Sequence, residues 1–500
     1  MERKLVSRRT LLKSAALLAM GTVINACAQS APAPAAAPTQ AAPAEPTKAP
    51  PPEATKAPAA EPTKAAAAPT AAPTPTVEAA PVTATPAAQA SEKITLAFQF
   101  WDGEPYMSKI IKPSGQRFMD KNPNVSIEFQ LVAWEEYMPK LLAQMAAGTP
   151  VDVFWGNLGE AIPIVVKNPE LFYDVEPLLQ RDHKEMNLED DFWPTAKEGS
   201  VYKGRYWGVC WGTGATMYVF YNKKMFADAG LKTPAELFDE GKWTVDAYTE
   251  AAVKLTKREG NQPVQFGSES LVSRETFAPF LMAMGGSFFD KENTKVTLTE
   301  SQGMKALQWL EDLNCQHKVA PQAEWGKTTE WRANGKMGMH LNWDGFIPEW
   351  RGYTQTYDWD IAPPPSGSAG WQSWATSNLY CMSKTGKHTD AAWAFVKHEM
   401  GPEEDLFYAK EYGWVPFRKT NLPAWLKEME KLAPPRNLKY FEQVQGTCRL
   451  EPLTPAWGGS LKAWTNEIQD PILAGCSRPI KDSVAAWAEE ATKLLAEANA

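Results

Sequence analysis

A chain of 500 residues with 51 Lys/Arg against 59 Asp/Glu and a net charge of −8 is too long for a small module and too acidic for the footprint of a nucleic-acid binder. Between Ala31 and Ala90 there are 25 Ala and 15 Pro with no Gly and no aromatic residue, so that stretch cannot build a core. All 21 Trp lie from Trp101 onward, which places the foldable part at residues 93–500, long enough for two lobes with buried centres.

At the N-terminus, Met1 to Arg9 is a basic segment, Leu11 to Ile24 is apolar but short, and Ile24-Asn25-Ala26-Cys27 sets small residues before a cysteine. Ser7-Arg8-Arg9-Thr10-Leu11-Leu12-Lys13 resembles a twin-arginine export signal, and Cys27 resembles the lipidated cysteine of bacterial lipoproteins. Residues 1–27 are therefore expected to direct export, with Cys27 anchoring the body to the outer face of the cell membrane. Residues 28–92 carry Glu45-Pro46-Thr47-Lys48-Ala49, Glu53-Ala54-Thr55-Lys56-Ala57 and Glu61-Pro62-Thr63-Lys64-Ala65, an Ala/Pro/Thr-rich repeat. Its prolines favour extended polyproline II, so it reads as a disordered, stiffish tether reaching on the order of 200 Å at about 3.1 Å per residue.

From Lys93 the elements alternate. Ile94 to Trp101 reads as a buried strand, and Gln116 to Lys121 as a helix end stopped at Asn122-Pro123. Val125 to Val132 alternates as a second strand, Tyr137 to Ala147 places Leu141, Leu142 and Met145 on a helical stripe, and Pro150 to Trp155 is a short apolar third strand. The order β-α-β-α-β predicts an open α/β sheet that binds ligand where strands end. The loops at those ends are Trp101-Asp102-Gly103-Glu104 and Trp155-Gly156-Asn157. Beyond Cys27 there are five cysteines, so at least one has no partner within the folded part, and the pairing of the rest stays open. No CxxC, HExxH, GxSxG or P-loop spacing occurs, so neither a metal site nor a cofactor is expected.

Further along, a string of motifs is similar to the extracellular solute-binding proteins of carbohydrate ABC importers, the maltose- and oligosaccharide-binding type. Phe220-Tyr221-Asn222-Lys223-Lys224-Met225-Phe226 with Ala229-Gly230-Leu231 is the most specific. Lys203-Gly204-Arg205-Tyr206-Trp207-Gly208, Lys242-Trp243-Thr244-Val245-Asp246, Gly285-Gly286-Ser287-Phe288 and Asn334-Gly335-Lys336-Met337-Gly338-Met339 follow the family's order and spacing. So do Ala391-Ala392-Trp393-Ala394-Phe395-Val396 and Gly413-Trp414-Val415-Pro416-Phe417-Arg418, although Trp211 stands near where a proline is expected. The resemblance implies a periplasmic-binding-protein type II fold, two α/β lobes with a hinge and a central ligand cleft. Lobe 1 would take residues 93–215 and 363–412, and lobe 2 residues 216–362 and 413–500, with crossings near Gly212 to Tyr218, Asp358 to Pro363 and Tyr412 to Pro416. It also implies an ABC permease as partner and a chain that acts as a monomer, captures its ligand by closing and does no chemistry.

A sugar offers apolar C–H faces and a rim of hydroxyls, which calls for indole platforms beside planar polar groups. Trp101 with Asp102 and Glu104, Trp155 with Asn157, and Trp343 with Asn342 and Asp344 supply both at strand ends. Trp211, Trp371, Trp374 and Trp457 lie in Gly-, Ser- or Pro-containing loops and complete the predicted ligand set. Trp309, Trp393, Trp464 and Trp487 fall on helical patterns and read as core. The rival reading is a secreted glycoside hydrolase drawing its two carboxyls from Asp102, Glu104, Glu269, Asp344 and Glu349.

Overall fold

Leu96, Phe98 and Phe100 alternate along the first strand and are fully buried, with Phe98 edge-on to Phe395 at 5.2 Å. The computed structural model describes residues 92–499 apart from 102, 104–105, 150, 158, 160–161, 163–165, 212–215 and 355. The export segment with Cys27, the tether, Asp102 and Glu104 lie outside the described residues. In chain order the strands are β1 Ile94–Trp101, β2 Val125–Val132, β3 Val153–Asn157, β4 Val201–Tyr202, β5 Arg205–Tyr206, β6 Val209–Cys210 and β7 Met217–Asn222. They continue as β8 Lys257–Glu259, β9 Gln262–Ser268, β10 Met337–Trp343, β11 Trp359–Ala362, β12 Ser373–Ala375, β13 Asn378–Met382 and β14 Cys448–Leu450.

Two five-stranded sheets divide the body. The first has the order β2-β1-β3-β13-β6, with β1 parallel to β2 and β3, and β13 antiparallel to β3 and β6. The parallel pair β1/β2 needs a helical crossover, and the helix Lys112–Lys121 supplies it, while the helix Trp134–Ala146 carries the chain from β2 past β1 to β3. The second has the order β11-β7-β10-β9-β8, with β7 antiparallel to both neighbours and β10 parallel to β9. All six residues of β7 are buried, as a central strand covered on both faces requires. The β-α-β-α-β expectation for residues 94–157 is thus what the first sheet shows, with the third strand starting at Val153 rather than Pro150.

The recognisable motifs turn out to be scaffold. Asn222 ends β7 and caps the next helix, its Oδ1 accepting from Met225 N at 3.1 Å while its Nδ2 donates to Gly335 O at 3.2 Å. Gly335 has φ +66°, and a Cβ there would lie 2.4 Å from Thr356 O, so only glycine fits. Arg418 is buried and pairs with Asp191 at 2.8 Å while donating to Met400 O and Met186 O. Cys315 and Cys476 form a disulfide across 161 residues within lobe 2. Cys210, Cys381 and Cys448 are buried and unbridged.

Three passages join the sheets, from β6 to β7, from β12 to β13, and through Gly413–Pro416 after the helix Pro402–Tyr412. The second one differs from the expected boundary at residue 363. Ser366 exchanges hydrogen bonds with Val245 and Trp243, Ala369 N donates to Ala283 O, and Trp374 sits in the core of lobe 2. Residues 363–375 therefore stay with lobe 2, and the chain returns only beyond β12. Among the described residues no helix is long and apolar enough to cross a membrane.

Candidate functional site

The passages converge on Asp344, which is fully buried at the end of β10. Its N–H donates to Thr216 O at 3.1 Å, and its carboxylate accepts from Val415 N at 3.1 Å and Gly345 N at 2.9 Å. Burial drives this carboxyl well above the usual range, although those backbone donors pull the other way. Asp344, expected to meet ligand, is thus a clasp between the first and third passages. Asn342 is likewise spent on the chain, accepting from Trp343 N and donating to His340. Both were expected on the strength of the neighbouring Trp343; their lone pairs are instead needed by a buried backbone.

Indoles make the lobe 1 side. Trp155 and Trp211 lie 4.8 Å apart by ring centroid, and Trp211 stacks on Trp414 at 5.0 Å and 24°. Trp414 reaches lobe 2, where a Cβ on Gly345 would fall 2.0 Å from its indole nitrogen. These rings close over a void of about 10 Å³, about what one water needs. Behind them Glu399 accepts from Ser114 Oγ at 2.7 Å, Tyr380 OH at 2.8 Å and Tyr408 OH, and Asp405 accepts from Phe417 N at 2.9 Å and Asn421 Nδ2 at 2.7 Å. Burial pushes each of these carboxyls up to about 7. Trp101, half-buried at the end of β1, packs edge-on to Tyr137 and Trp155. Asn157 donates to Asn378 Oδ1 at 3.0 Å.

Lobe 2 brings a different set to the same junction. Glu451 follows β14 and its side chain has no exposed surface. Trp457 Nε1 donates to Glu451 Oε2 at 2.8 Å, and Ser377 N donates to Oε1 at 3.4 Å. Arg274, in the first turn of the helix Arg274–Ala283, lies 3.7 Å from Glu451, 2.9 Å from Glu275 and 5.0 Å from the Trp457 ring centroid. Gly159, two residues beyond β3 of lobe 1, presses on this carboxylate: a Cβ there would lie 2.5 Å from the Glu451 carboxyl carbon. Beside it opens a cavity of about 660 Å³, walled by Glu198 from lobe 1 and by Met282, Gly286, Gln372, Trp374 and Arg449 from lobe 2. That volume is in the range of small-molecule sites.

Residues 101–406 match the family described as bacterial extracellular solute-binding protein. The chain belongs to that family. A binding protein of Brucella abortus (strain 2308) is 22% identical over 416 residues, which are 80% of this chain and 93% of that protein. An arabinooligosaccharide-binding protein of Halalkalibacterium halodurans is 28% identical over 209 residues, 39% of this chain and 44% of that one. The fold is that of an ABC substrate-binding protein of Listeria monocytogenes solved with cycloalternan, with a TM-score of 0.67 at 19% identity over 80% of this chain and 99% of the other. The two sheets with their hinge are accordingly the type II periplasmic-binding-protein architecture, and the junction at Glu451 lies where its two lobes meet. Membership places the working protein outside the cytoplasm.

Of the residues expected to meet ligand, Trp374 walls the cavity while Trp457 lies behind it against Glu451, and both are nearly sealed at 3% and 1% exposure. Trp155 and Trp211 are buried in the lobe 1 stack, and Trp343 is half-buried against the lobe 2 core. Trp371 does not wall the cavity; it packs edge-on to Phe238 at 5.3 Å, because residues 363–375 run along lobe 2. Of the hydrolase candidates, the carboxyls among the described residues are spent as well. Glu269 accepts from Leu341 N at 2.5 Å and faces His340, and Glu349 is paired with Arg332 and Tyr353. Sequence reasoning missed Arg274, Glu451 and Gly159. Ser273 before Arg274 is a legible helix cap, but nothing in Leu450-Glu451-Pro452 separates Glu451 from other acidic loops.

Proposed function

We propose that this solute-binding protein captures a carbohydrate, an oligosaccharide in particular, by closing its lobes over the Glu451–Arg274–Trp457 corner, and hands it unaltered to the membrane subunits of an ABC importer. The observation that carries the reading is chemical. An indole, a planar carboxylate and a planar guanidinium converge beside a cavity at the meeting of two lobes, the mixture of flat apolar surface and paired hydrogen-bond groups that a pyranose demands. Closure costs no chemistry, since ligand that touches both lobes shifts a pre-existing equilibrium toward the closed form that the importer selects. The kinds of solute named for the Halalkalibacterium and Listeria relatives support the same class.

The proposal includes Cys27 as lipid anchor, export by the twin-arginine route, a free-moving tether over residues 28–92 and a monomeric working state. Thermal-shift titration with neutral malto-, arabino- and manno-oligosaccharides tests the ligand class: saturable stabilisation with intact sugar recovered supports it. Shortened products would turn the reading to hydrolysis. Cys27→Ser should release the protein from the membrane fraction, and Arg8→Lys with Arg9→Lys should hold it inside.

A further inference from the structure

We infer that Asp344 and Asp405 are positioning residues for lobe closure: each holds the third passage to a different lobe, and together they confine its bending to the bonds around Val415. This rests on the closing motion proposed above and names the residues that guide it. Asp344 follows β10 in lobe 2 and accepts from Val415 N at 3.1 Å. Asp405, on the lobe 1 helix Pro402–Tyr412, accepts from Phe417 N at 2.9 Å and Arg418 N at 3.3 Å. The chain thus leaves lobe 1 after Gly413, is taken up by lobe 2 at Val415 and is back on lobe 1 at Phe417, whose ring packs on Phe192 at 5.5 Å.

Only Pro416 lies between the two gripped amides. Its ring fixes φ and its carbonyl accepts from Trp193 Nε1 at 2.8 Å, so between the grips a rotation of the lobes falls on φ and ψ of Val415. On the other side Trp414 is held between Trp211, stacked at 5.0 Å, and Gly345 of lobe 2. Asp344 N–H also donates to Thr216 O at 3.1 Å, so one residue of lobe 2 keeps the first and third passages in step. Both carboxyls are used from both oxygens, with Gly345 N at 2.9 Å on Asp344 and Asn421 Nδ2 at 2.7 Å on Asp405 completing the sets. An asparagine in either place would turn its NH2 toward one of these N–H donors and lose that bond. Both side chains are buried and neither walls the cavity of about 660 Å³, so an effect on binding has to pass through the hinge. With a grip lost, the free protein gains open arrangements that closure must give up, and affinity falls.

The test is double electron–electron resonance between spin labels at Lys140→Cys in lobe 1 and Lys254→Cys in lobe 2, both exposed positions, on the full exported chain. Without sugar, Asp344→Asn and Asp405→Asn should each broaden the distribution of distances between the lobes, and wild-type width in folded protein of both variants overturns the inference. Hydrogen exchange resolved to single amides needs no variant. Val415 and Phe417 should stay protected in the free wild type, and exchange as fast as an exposed amide at either position overturns its grip. With maltotriose, arabinotriose and mannotriose as probes, the variants should bind severalfold more weakly than the wild type, and equal affinity overturns the link to closure. A wild type that binds none of these sugars overturns the carbohydrate reading, while the distance widths and the exchange still decide the two grips.

Discussion

The two walls of the cleft use the same side chain for opposite ends. On the lobe 1 wall Trp155, Trp211 and Trp414 pack on one another until about 10 Å³ remains, whereas on the lobe 2 wall Trp374 borders an open cavity of about 660 Å³ and Trp457 stands behind it, bonded to Glu451. An indole stacked on indoles is a strut, with its area already removed from water. Trp374 and Trp457 are as buried as Trp155, so the difference lies in the open space beside Trp374 and in the Glu451–Arg274 pair beside Trp457.

That contrast can be broken by substitution, the largest effects coming first. Trp155→Ala should destabilise the fold by about 3–5 kcal/mol in denaturant unfolding, the range for an aromatic removed from a packed core. A loss below about 1 kcal/mol would mean that the lobe 1 stack is not a strut. Cys315→Ser should cost about 2–4 kcal/mol and act on lobe 2, seen as a melting temperature that reductant no longer lowers. Trp101→Ala, at a half-buried strand end, should weaken sugar binding by about 1–3 kcal/mol while the fold persists. Unchanged affinity at wild-type melting removes Trp101 from the site. Gly159→Ala should prop the lobes apart and weaken binding about tenfold, near 1.4 kcal/mol, with a larger radius of gyration in the presence of ligand.

A last effect is read in the pH dependence of stability. Burial raises Glu399 and Asp405 to about 7, so between the ordinary carboxylate range and that value the folded state holds more protons than the unfolded one. Stability should therefore fall as pH rises from about 5 through 7 and then level off. Asp405→Asn should flatten part of that slope in melting curves, and an unaltered slope would assign it elsewhere.

Much of the fold was legible because it is written in local signals. The apolar run in Ile94 to Trp101, the alternation in Val125 to Val132 and the helical stripe of Leu141, Leu142 and Met145 all act within a few residues of where they are read. The site was less so. Trp374 and Trp457 were expected in loops but lie on β12 and in the helix Ala456–Trp464, and Asn342 and Asp344 were drawn in by standing next to Trp343, when Trp343 N claims the oxygen of Asn342 and Val415 N of a distant passage claims that of Asp344. Glu451 gave no cue because its importance comes from Gly159, Arg274 and Ser377, residues 292, 177 and 74 positions away in the sequence.

The order of residues alone determined that an Ala/Pro segment precedes a Trp-rich body, that the body begins as an α/β sheet, and which solute-binding pattern it follows. Those properties depend on composition and on periodicities of two and 3.6 residues, which a linear reading contains. Which tryptophans pack on one another and which borders the cavity, where the second passage returns, and that one glycine lies on one carboxylate were decided only when the lobes came together. Desolvation and pairing act between neighbours in space, and the chain supplies those neighbours from all over its length.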